Sequence, residues 1–182
     1  MRVFASALLV VSSTLPGLAQ QFGPGDNLAP YIPTPQAVVE KMLEAGHIKP
    51  GDVVYDLGAG DGRIIITAAK EFGARAVGIE IQKDLVEKTR ERVKELGLAD
   101  KVSVVLDSAL HADLSPANVV TMFFLTSSND RLRPVLEKTL KPGTRVVSNQ
   151  FPVKGWRPAA VYHIKPGTME YTIYVYEIGK TK

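Results

Sequence analysis

A glycine-rich segment directly after a short apolar run constrains the fold of this chain more than any other feature. The run 53–55 (VVY) is followed by DLGAGDG at positions 56–62, and a helical pattern begins at Arg63. A strand, a glycine loop and a helix in this order begin a βαβ unit, in which the strands lie parallel. Ligands of such sheets bind outside the carboxyl ends of the central strands, so the loop also marks a candidate binding site.

The rest of the chain continues the alternation of helices and strands. The predicted helices are 36–45, 63–72, 85–96 and 132–140, and the predicted strands are 53–55, 76–79, 102–106, 119–125, 145–148, 160–164 and 171–178. The last two strands flank a turn at 165–168 without a helix between them, which is typical of an antiparallel hairpin. The pattern predicts one α/β domain, residues 31–182, with a mostly parallel seven-stranded sheet.

Two finer expectations concern the helices. Pro35 suits the first position of the helix 36–45, with Thr34 as its N-cap. In the helix 85–96, periodicity predicts that five side chains face inward, namely Leu85, Val86, Thr89, Val93 and Leu96.

The first residues have the features of a secretory signal peptide. Arg2 precedes an apolar run at 3–11, and small residues at 17–19 suit cleavage after Ala19. The run is too short for a comfortable transmembrane helix, which needs about 20 apolar residues. We therefore expect a signal peptide at 1–19, a glycine- and proline-rich linker at 20–30, and an exported or periplasmic protein. A membrane anchor, or a cytoplasmic protein, remains the alternative.

Composition excludes several kinds of site. The chain of 182 residues has no cysteine, which removes disulfides, thiolate catalysis and cysteine-bound zinc. Its net charge is +3, but basic and acidic residues alternate, so no nucleic-acid partner is predicted. The three histidines, His47, His111 and His163, are scattered, so no metal site is expected.

The spacing of the glycines distinguishes between two cofactors. The dinucleotide fingerprint G-x-G-x-x-G would place a glycine at position 63, where Arg63 stands. Asp56 would repel a pyrophosphate, whereas it would attract the ammonium group of a methionine moiety. The loop therefore favours S-adenosylmethionine over NAD.

Two further acidic residues follow the next strands. Glu80 can accept hydrogen bonds from two ribose hydroxyls at once. Asp107 can accept one from the adenine amino group, while a neighbouring backbone N–H meets a ring nitrogen. The residues predicted to bind the cofactor are Asp56, Gly58, Ala59, Gly60, Gly62, Glu80, Asp107 and Ser108.

The order of these motifs resembles that of class I S-adenosylmethionine-dependent methyltransferases, which have a Rossmann-like seven-stranded sheet. Residues 31–158 are similar to a narrower group, the archaeal broad-specificity protein lysine methyltransferases and the mitochondrial enzyme that methylates the ATP synthase c subunit. The segments that carry the resemblance are YIPTP at 31–35, VVYDLGAGDGRI at 53–64, VVTMFFL at 119–125, LRP at 132–134 and LKPGTRVVS at 140–148, with Asn129, Phe151, Gly155 and Trp156.

The resemblance implies an enzyme that methylates lysine side chains of a protein. It places Thr126 and Asn129 at the acceptor as catalytic residues, and Tyr31, Leu125, Phe151 and Trp156 in substrate binding. The chain departs from the family after Ser148, where Asn149 and Gln150 replace the usual histidine and acid. This departure keeps two alternatives open: a small-molecule N- or O-methyltransferase, and an exported protein that binds S-adenosylmethionine without turnover.

Overall fold

The computed structural model describes residues 22–23 and 25–181. The helices are α1 (Gln36–Ala45), α2 (Arg63–Phe72), α3 (Lys83–Glu95) and α4 (Thr126–Thr139). The strands are β1 (Val53–Leu57), β2 (Arg75–Glu80), β3 (Val102–Leu106), β4 (Val119–Met122), β5 (Arg145–Asn149), β6 (Ala160–Ile164) and β7 (Tyr171–Glu177). The predicted signal peptide lies outside the described residues.

All seven strands form one sheet in the order β3-β2-β1-β4-β5-β7-β6. Strands β1 to β5 are parallel, and β7 runs antiparallel to both of its neighbours. The predicted α/β fold, with its parallel sheet and antiparallel C-terminal hairpin, is therefore confirmed. The hairpin adds to the sheet through its second strand, so that β6 forms the outer edge.

Alternating side chains of the strands pack into two apolar layers. Helices α1, α2 and α3 cover the face that carries Val54 and Val147. Helix α4, the segment 109–117 and the C-terminal residues cover the opposite face, where Leu57 and Val146 are buried. Burial on both faces explains why the central strands β4 and β5 are short, mostly apolar runs, whereas buried and exposed residues alternate in the edge strand β3.

The largest difference from the predicted elements concerns α4. Sequence predicts a strand to 125 and a helix from 132, but β4 ends at Met122 and α4 begins at Thr126. The carbonyl of Leu125 accepts hydrogen bonds from the N–H groups of Ser128 and Asn129, which close the first turn. Hydroxyl and amide side chains have low helix propensity, so this turn is not visible in the sequence pattern.

Two smaller predictions are wrong. Thr34 does not cap α1, because Pro35 is the N-cap residue and its carbonyl accepts the N–H groups of Val38 and Val39. Leu96 is 42% exposed rather than inward, since α3 ends at Glu95.

The topology also positions the glycine loop. After β1 the chain adds β2 and β3 on one side, and β4 then lies on the other side of β1. The connections leave β1 and β4 in opposite directions, which opens a crevice at their carboxyl ends. The loop 58–62 follows β1 directly at this crevice.

Candidate functional site

The loop after β1 has a conformation that only glycine accommodates easily. Gly58, Gly60 and Gly62 have φ values of 75°, 55° and 75°, in the left-handed region. A Cβ atom on Gly60 would lie 2.5 Å from the ring of Tyr31, and one on Gly58 would lie 3.0 Å from the ring of Phe124. The glycines therefore keep the backbone in close contact with the aromatic residues that surround the cleft.

The cleft above this loop has two connected parts. The outer part is lined by the carboxyl ends of β2 and β3, with Glu80, Ile81, Asp107 and Ala109, and by residues 26–31. The inner part is lined by Asp56, the loop 57–61, Arg63 and residues 33–34. Tyr31, Gly58 and Phe123 line both parts, so together they form one elongated site.

Backbone hydrogen bonds hold the Glu80 carboxylate in place. One oxygen accepts the N–H of Gly60 at 2.8 Å, and the other accepts those of Ile81 and Gln82 at 2.9 Å each. A carboxylate offers about four acceptor positions, so about one remains for a ligand hydroxyl. This is fewer than the two ribose contacts that the sequence predicts.

Asp107 lines the outer part from the end of β3, as predicted. Its carboxylate accepts the N–H of Ser108 at 2.7 Å, and Ser108 is fully buried. The N–H of Ser108 is therefore engaged within the protein, and Ala109 is the neighbour that lines the cleft.

Asp56 is buried beneath the inner part of the cleft. The hydroxyl of Thr121 donates to its carboxylate at 2.7 Å, across the β1–β4 pairing. Burial raises the pKa of Asp56 to about 8, although the hydrogen bond from Thr121 opposes this shift. A carboxyl group in this state is poised to ionise when a cation arrives beside it.

An ion pair that the sequence did not suggest joins the loop to the segment before α1. Arg63 donates to both carboxylate oxygens of Asp61, at 2.9 and 2.7 Å, and to the carbonyl of Thr34 at 2.6 Å. Although burial opposes ionisation, the hydrogen bonds and charge of Arg63 lower the pKa of Asp61. Burial, and then the Asp61 carboxylate, raise the pKa of Tyr31. The Tyr31 ring lies over Gly60, beside this ion pair.

Residues 25–31, which we call the strap, lie across the outer part of the cleft. The hydroxyl of Ser128 donates to the carbonyl of Leu28 at 2.6 Å, and Arg131 donates to that of Gly25 at 2.7 Å. Both side chains belong to the first two turns of α4. Residues 26–30, part of the segment 20–30 that the sequence assigns to a linker, therefore form a wall of the site.

Aromatic rings line the side of the site where the resemblance places the methyl acceptor. Phe123, after β4, stacks on Phe151, after β5, with ring centroids 6.2 Å apart and planes inclined by 18°. Leu125 is the N-cap residue of α4 and is 51% exposed, and Thr126 is half-buried in the first turn. The structure thus brings Tyr31, Leu125 and Phe151 to the carboxyl edge of the sheet.

Asn129 occupies a different environment from the one predicted. It is fully buried, and its amide nitrogen lies 3.2 Å from the carbonyl oxygen of Phe151 and 3.3 Å from that of Pro152, donating to both. The hydroxyl of Ser148 donates to the same carbonyl of Phe151 at 2.6 Å. The Asn129 amide nitrogen therefore holds the turn after β5 that carries Phe151, while its amide oxygen has no hydrogen-bond partner among the described residues.

The positions where the chain departs from the family that it resembles are also buried or constrained. Asn149 is fully buried, and its amide has no hydrogen-bond partner among the described residues. Gln150 has a φ of 66°, and its side chain accepts the N–H of Thr172 at 3.0 Å. The left-handed backbone of Gln150 lies in the turn that leads from β5 to Phe151.

Trp156 is not brought to the site. It is 7% exposed, its indole N–H donates to Glu137 at 2.8 Å, and its ring packs edge-on against Tyr176 at 5.4 Å. It lines neither part of the cleft, so this placement does not support a role at the substrate mouth. Sequence pattern could not distinguish a tryptophan in the core from one at the mouth.

Within the described ranges, no cluster of histidine and acidic side chains could hold a metal ion. The same residues contain no helix that is both long and apolar enough to span a membrane.

Comparison with known proteins agrees with this geometry. Residues 56–160 match the family model of the ANTKMT methyltransferase domain. The chain is 48% identical over 154 residues to a protein-lysine N-methyltransferase of Saccharolobus islandicus, covering 84% of this chain and 96% of that protein. It is 35% identical over 133 residues to an adenine nucleotide translocase lysine N-methyltransferase of Mus musculus, covering 72% of this chain and 57% of that protein.

This chain also matches a solved structure, over almost the whole length of that structure. It is described as an RNA methyltransferase from Salinibacter ruber in complex with S-adenosyl-L-homocysteine. The two chains share 46% identity with a TM-score of 0.77, and the match covers 81% of this chain and 94% of that one.

Proposed function

Because the chain belongs to the ANTKMT methyltransferase family, it is an S-adenosylmethionine-dependent methyltransferase, and we propose that its acceptor is a lysine side chain of another protein. The observation that carries this proposal is the 48% identity to a protein-lysine N-methyltransferase, which extends over nearly the whole of that relative. Asp56, the glycine loop, Glu80 and Asp107 all lie within the residues that match the family model.

The residues of the cleft fit the cofactor. A Cβ on Gly58 or Gly60 would collide with aromatic rings that line the cleft, so the backbone is shaped for close approach. We assign Asp107 and Glu80 to the adenosine and Asp56 to the methionine ammonium, because each carboxylate lines the corresponding part of the cleft. When bound, the cofactor supplies a methyl group that is already activated by the sulfonium.

The protein must then align a neutral amine with that methyl group. A lysine with a pKa near 10.4 is neutral only about once in 2,500 molecules at pH 7. The stacked rings of Phe123 and Phe151 offer an apolar lining, which disfavours the ammonium and lowers the lysine pKa. Fixing the amine in line is a proximity effect that can contribute several kcal/mol, on the order of 5.

The experiment that tests this function uses labelled S-adenosylmethionine. The protein lacking residues 1–19 is incubated with lysine-rich proteins and, separately, with total RNA, and the labelled atoms are located by mass spectrometry. Label on lysine side chains is the expected result. The RNA sample is included because the Salinibacter ruber structure is described as an RNA methyltransferase.

Other outcomes would assign another function. Label in RNA, or only in the small molecules of a third incubation with a metabolite extract, would replace lysine as the acceptor. Tight binding of S-adenosylhomocysteine without transfer to any acceptor would indicate the non-catalytic binding protein that the change at Asn149 and Gln150 leaves open.

We further propose that residues 1–19 direct the protein to export, or hold it at a membrane. The support is the basic start, the short apolar run and the small residues before Gln20. Fusion of residues 1–25 to a reporter enzyme tests this proposal. Cleaved reporter outside the cytoplasm supports export, membrane-bound reporter supports an anchor, and soluble cytoplasmic reporter contradicts both.

A further inference from the structure

Four exposed apolar side chains lie at the carboxyl edge of the sheet, the edge that also carries the cleft. Among the described residues, seven large apolar side chains are strongly exposed. Four of them form what we call the docking rim: Tyr31 (42% exposed), Ile32 (61%), Leu125 (51%) and Met169 (61%). The other three lie at the end of α3 and on the two outermost strands, at Leu96, Val105 and Val161.

The topology places the members of the docking rim at the same edge of the sheet. Tyr31 lies over Gly60, and Ile32 follows it in the chain. Leu125 caps α4 just after β4 ends. Because β7 is antiparallel to β5, and Ile173 pairs with Asn149 at the end of β5, the turn that contains Met169 also lies at the carboxyl edge.

Two arginines beside the strap form hydrogen bonds within the protein. Arg63 is paired with Asp61, and Arg131 donates to the carbonyl of Gly25. Arg131 nevertheless keeps its charge at an exposed position, and the exposed Glu170 follows Met169, so the docking rim is an apolar surface with charges at its border. Exposed apolar patches next to a functional cleft are typical of interaction sites.

On the premise of the proposed function, we propose that the docking rim binds the residues on either side of the target lysine, and that these residues are apolar. The lysine has to reach the apolar lining that Phe123 and Phe151 offer, so the flanking chain has to lie across the surrounding surface. Apolar neighbours gain affinity by removing Ile32 and Met169 from water, whereas polar neighbours do not. The occupant of the docking rim is thus a segment of the protein substrate.

The test compares two nine-residue peptides that each carry one central lysine. One has leucine and valine flanks, and the other has serine and glycine flanks. Binding is measured by fluorescence anisotropy in the presence of S-adenosylhomocysteine. We expect the native protein to bind the apolar peptide about tenfold more tightly, and the double variant Ile32→Ser with Met169→Ser to reduce this ratio to within about threefold.

Matched controls use exposed apolar residues away from the docking rim. The double variant Leu96→Ser with Val161→Ser should keep the native ratio, because neither side chain is at the carboxyl edge. The affinity for S-adenosylhomocysteine is measured for every variant, so that a general folding defect is recognised.

Several outcomes would overturn the proposal. These are equal or undetectable binding of the two peptides by the native protein, or an unchanged ratio in the Ile32 and Met169 variant. Binding to vesicles of neutral and anionic lipids that depends on Ile32 and Met169, without a peptide preference, would make the docking rim a membrane contact. If lysines of the protein mixture are nevertheless labelled, only the docking proposal fails; if no lysine is labelled, the proposed function fails.

Discussion

At the scale of single residues, Asp56 has the most unusual environment in the site. Burial raises its pKa to about 8, and Thr121 is its hydrogen-bond partner. At pH 7 it is therefore mostly protonated in the free protein. A cofactor ammonium beside it favours the ionised form, so we predict the release of up to about one proton per molecule of S-adenosylhomocysteine bound at pH 7.

Calorimetry in buffers of different ionisation enthalpy measures the number of protons released on binding. The release should fall towards zero above pH 9, where Asp56 is already ionised. Asp56→Asn keeps the shape of the protonated side chain but has no proton to lose, so it should show no release and weaker binding. Equal proton release by Asp56→Asn and the native protein would remove Asp56 from the ammonium site.

Gly60 provides a second prediction at this scale. In Gly60→Ala the new Cβ would lie 2.5 Å from the Tyr31 ring, and the φ of 55° is strained for alanine. We expect the affinity for S-adenosylhomocysteine to fall at least about tenfold, because Tyr31 must move; tenfold corresponds to about 1.4 kcal/mol.

The matched control is Gly51→Ala. Gly51 has a φ of 89°, and no atom lies within 4 Å of the position of its Cβ. The variant Gly51→Ala therefore introduces the backbone strain, which lowers the free energy of unfolding by about 1–2 kcal/mol, without a steric collision. Its affinity for the cofactor product should stay within about twofold of the native value. A similar loss in both variants would show that backbone strain alone, rather than Tyr31, accounts for the effect.

At the scale of secondary structure elements, α4 connects the two sides of the site. Its cap residue Leu125 belongs to the docking rim, and its next turns hold the strap through Ser128 and Arg131. The strap lines the outer part of the cleft, so these hydrogen bonds hold one wall of the cofactor site in place.

We therefore predict that Ser128→Ala and Arg131→Ala each raise the dissociation rate of S-adenosylhomocysteine by about 2–10-fold, the range expected for one hydrogen bond. Stopped-flow displacement measures this rate. Ser127→Ala, at an exposed neighbouring position of the same helix, should leave it unchanged. Native dissociation rates in both strap variants would mean that the strap does not retain the ligand.

At the scale of the whole molecule, Asp56 also affects the stability of the free protein. Its pKa is about 8 in the folded protein, against an ordinary value of 3.8. Between these values the folded protein holds a proton that the unfolded chain has lost. The free energy of unfolding should therefore fall as pH rises from about 4 to 8, with a slope of up to about 1.4 kcal/mol per pH unit from this group.

Urea unfolding at several pH values measures the slope, and Asp56→Asn isolates the contribution of Asp56. The variant should lose stability less steeply than the native protein between pH 5 and 8. Parallel curves for the two proteins would show that Asp56 has an ordinary pKa in the folded state.

The order of elements, the parallel sheet and the glycine loop could be predicted from the sequence because each depends on residues close together in the chain. Apolar runs such as 53–55 indicate a strand that is buried on both faces. The glycines at 58, 60 and 62 indicate a backbone conformation that other residues rarely adopt. Glu80 and Asp107 could be assigned to the site because each stands at the end of a strand, and all parallel strands end at the same edge of the sheet. These features also sufficed to select the cofactor.

Only the tertiary structure decided which side chains reach the site. Asn129 and Trp156 are buried by contacts with Phe151 and Tyr176, more than 15 positions away in the chain. The strap is held by residues about 100 positions further on. Local patterns carry no information about such distant contacts, because the side chain that buries or holds a residue is chosen by the packing of the complete fold. The cofactor loop was therefore evident from the sequence, whereas the walls of the cleft and the docking rim were not.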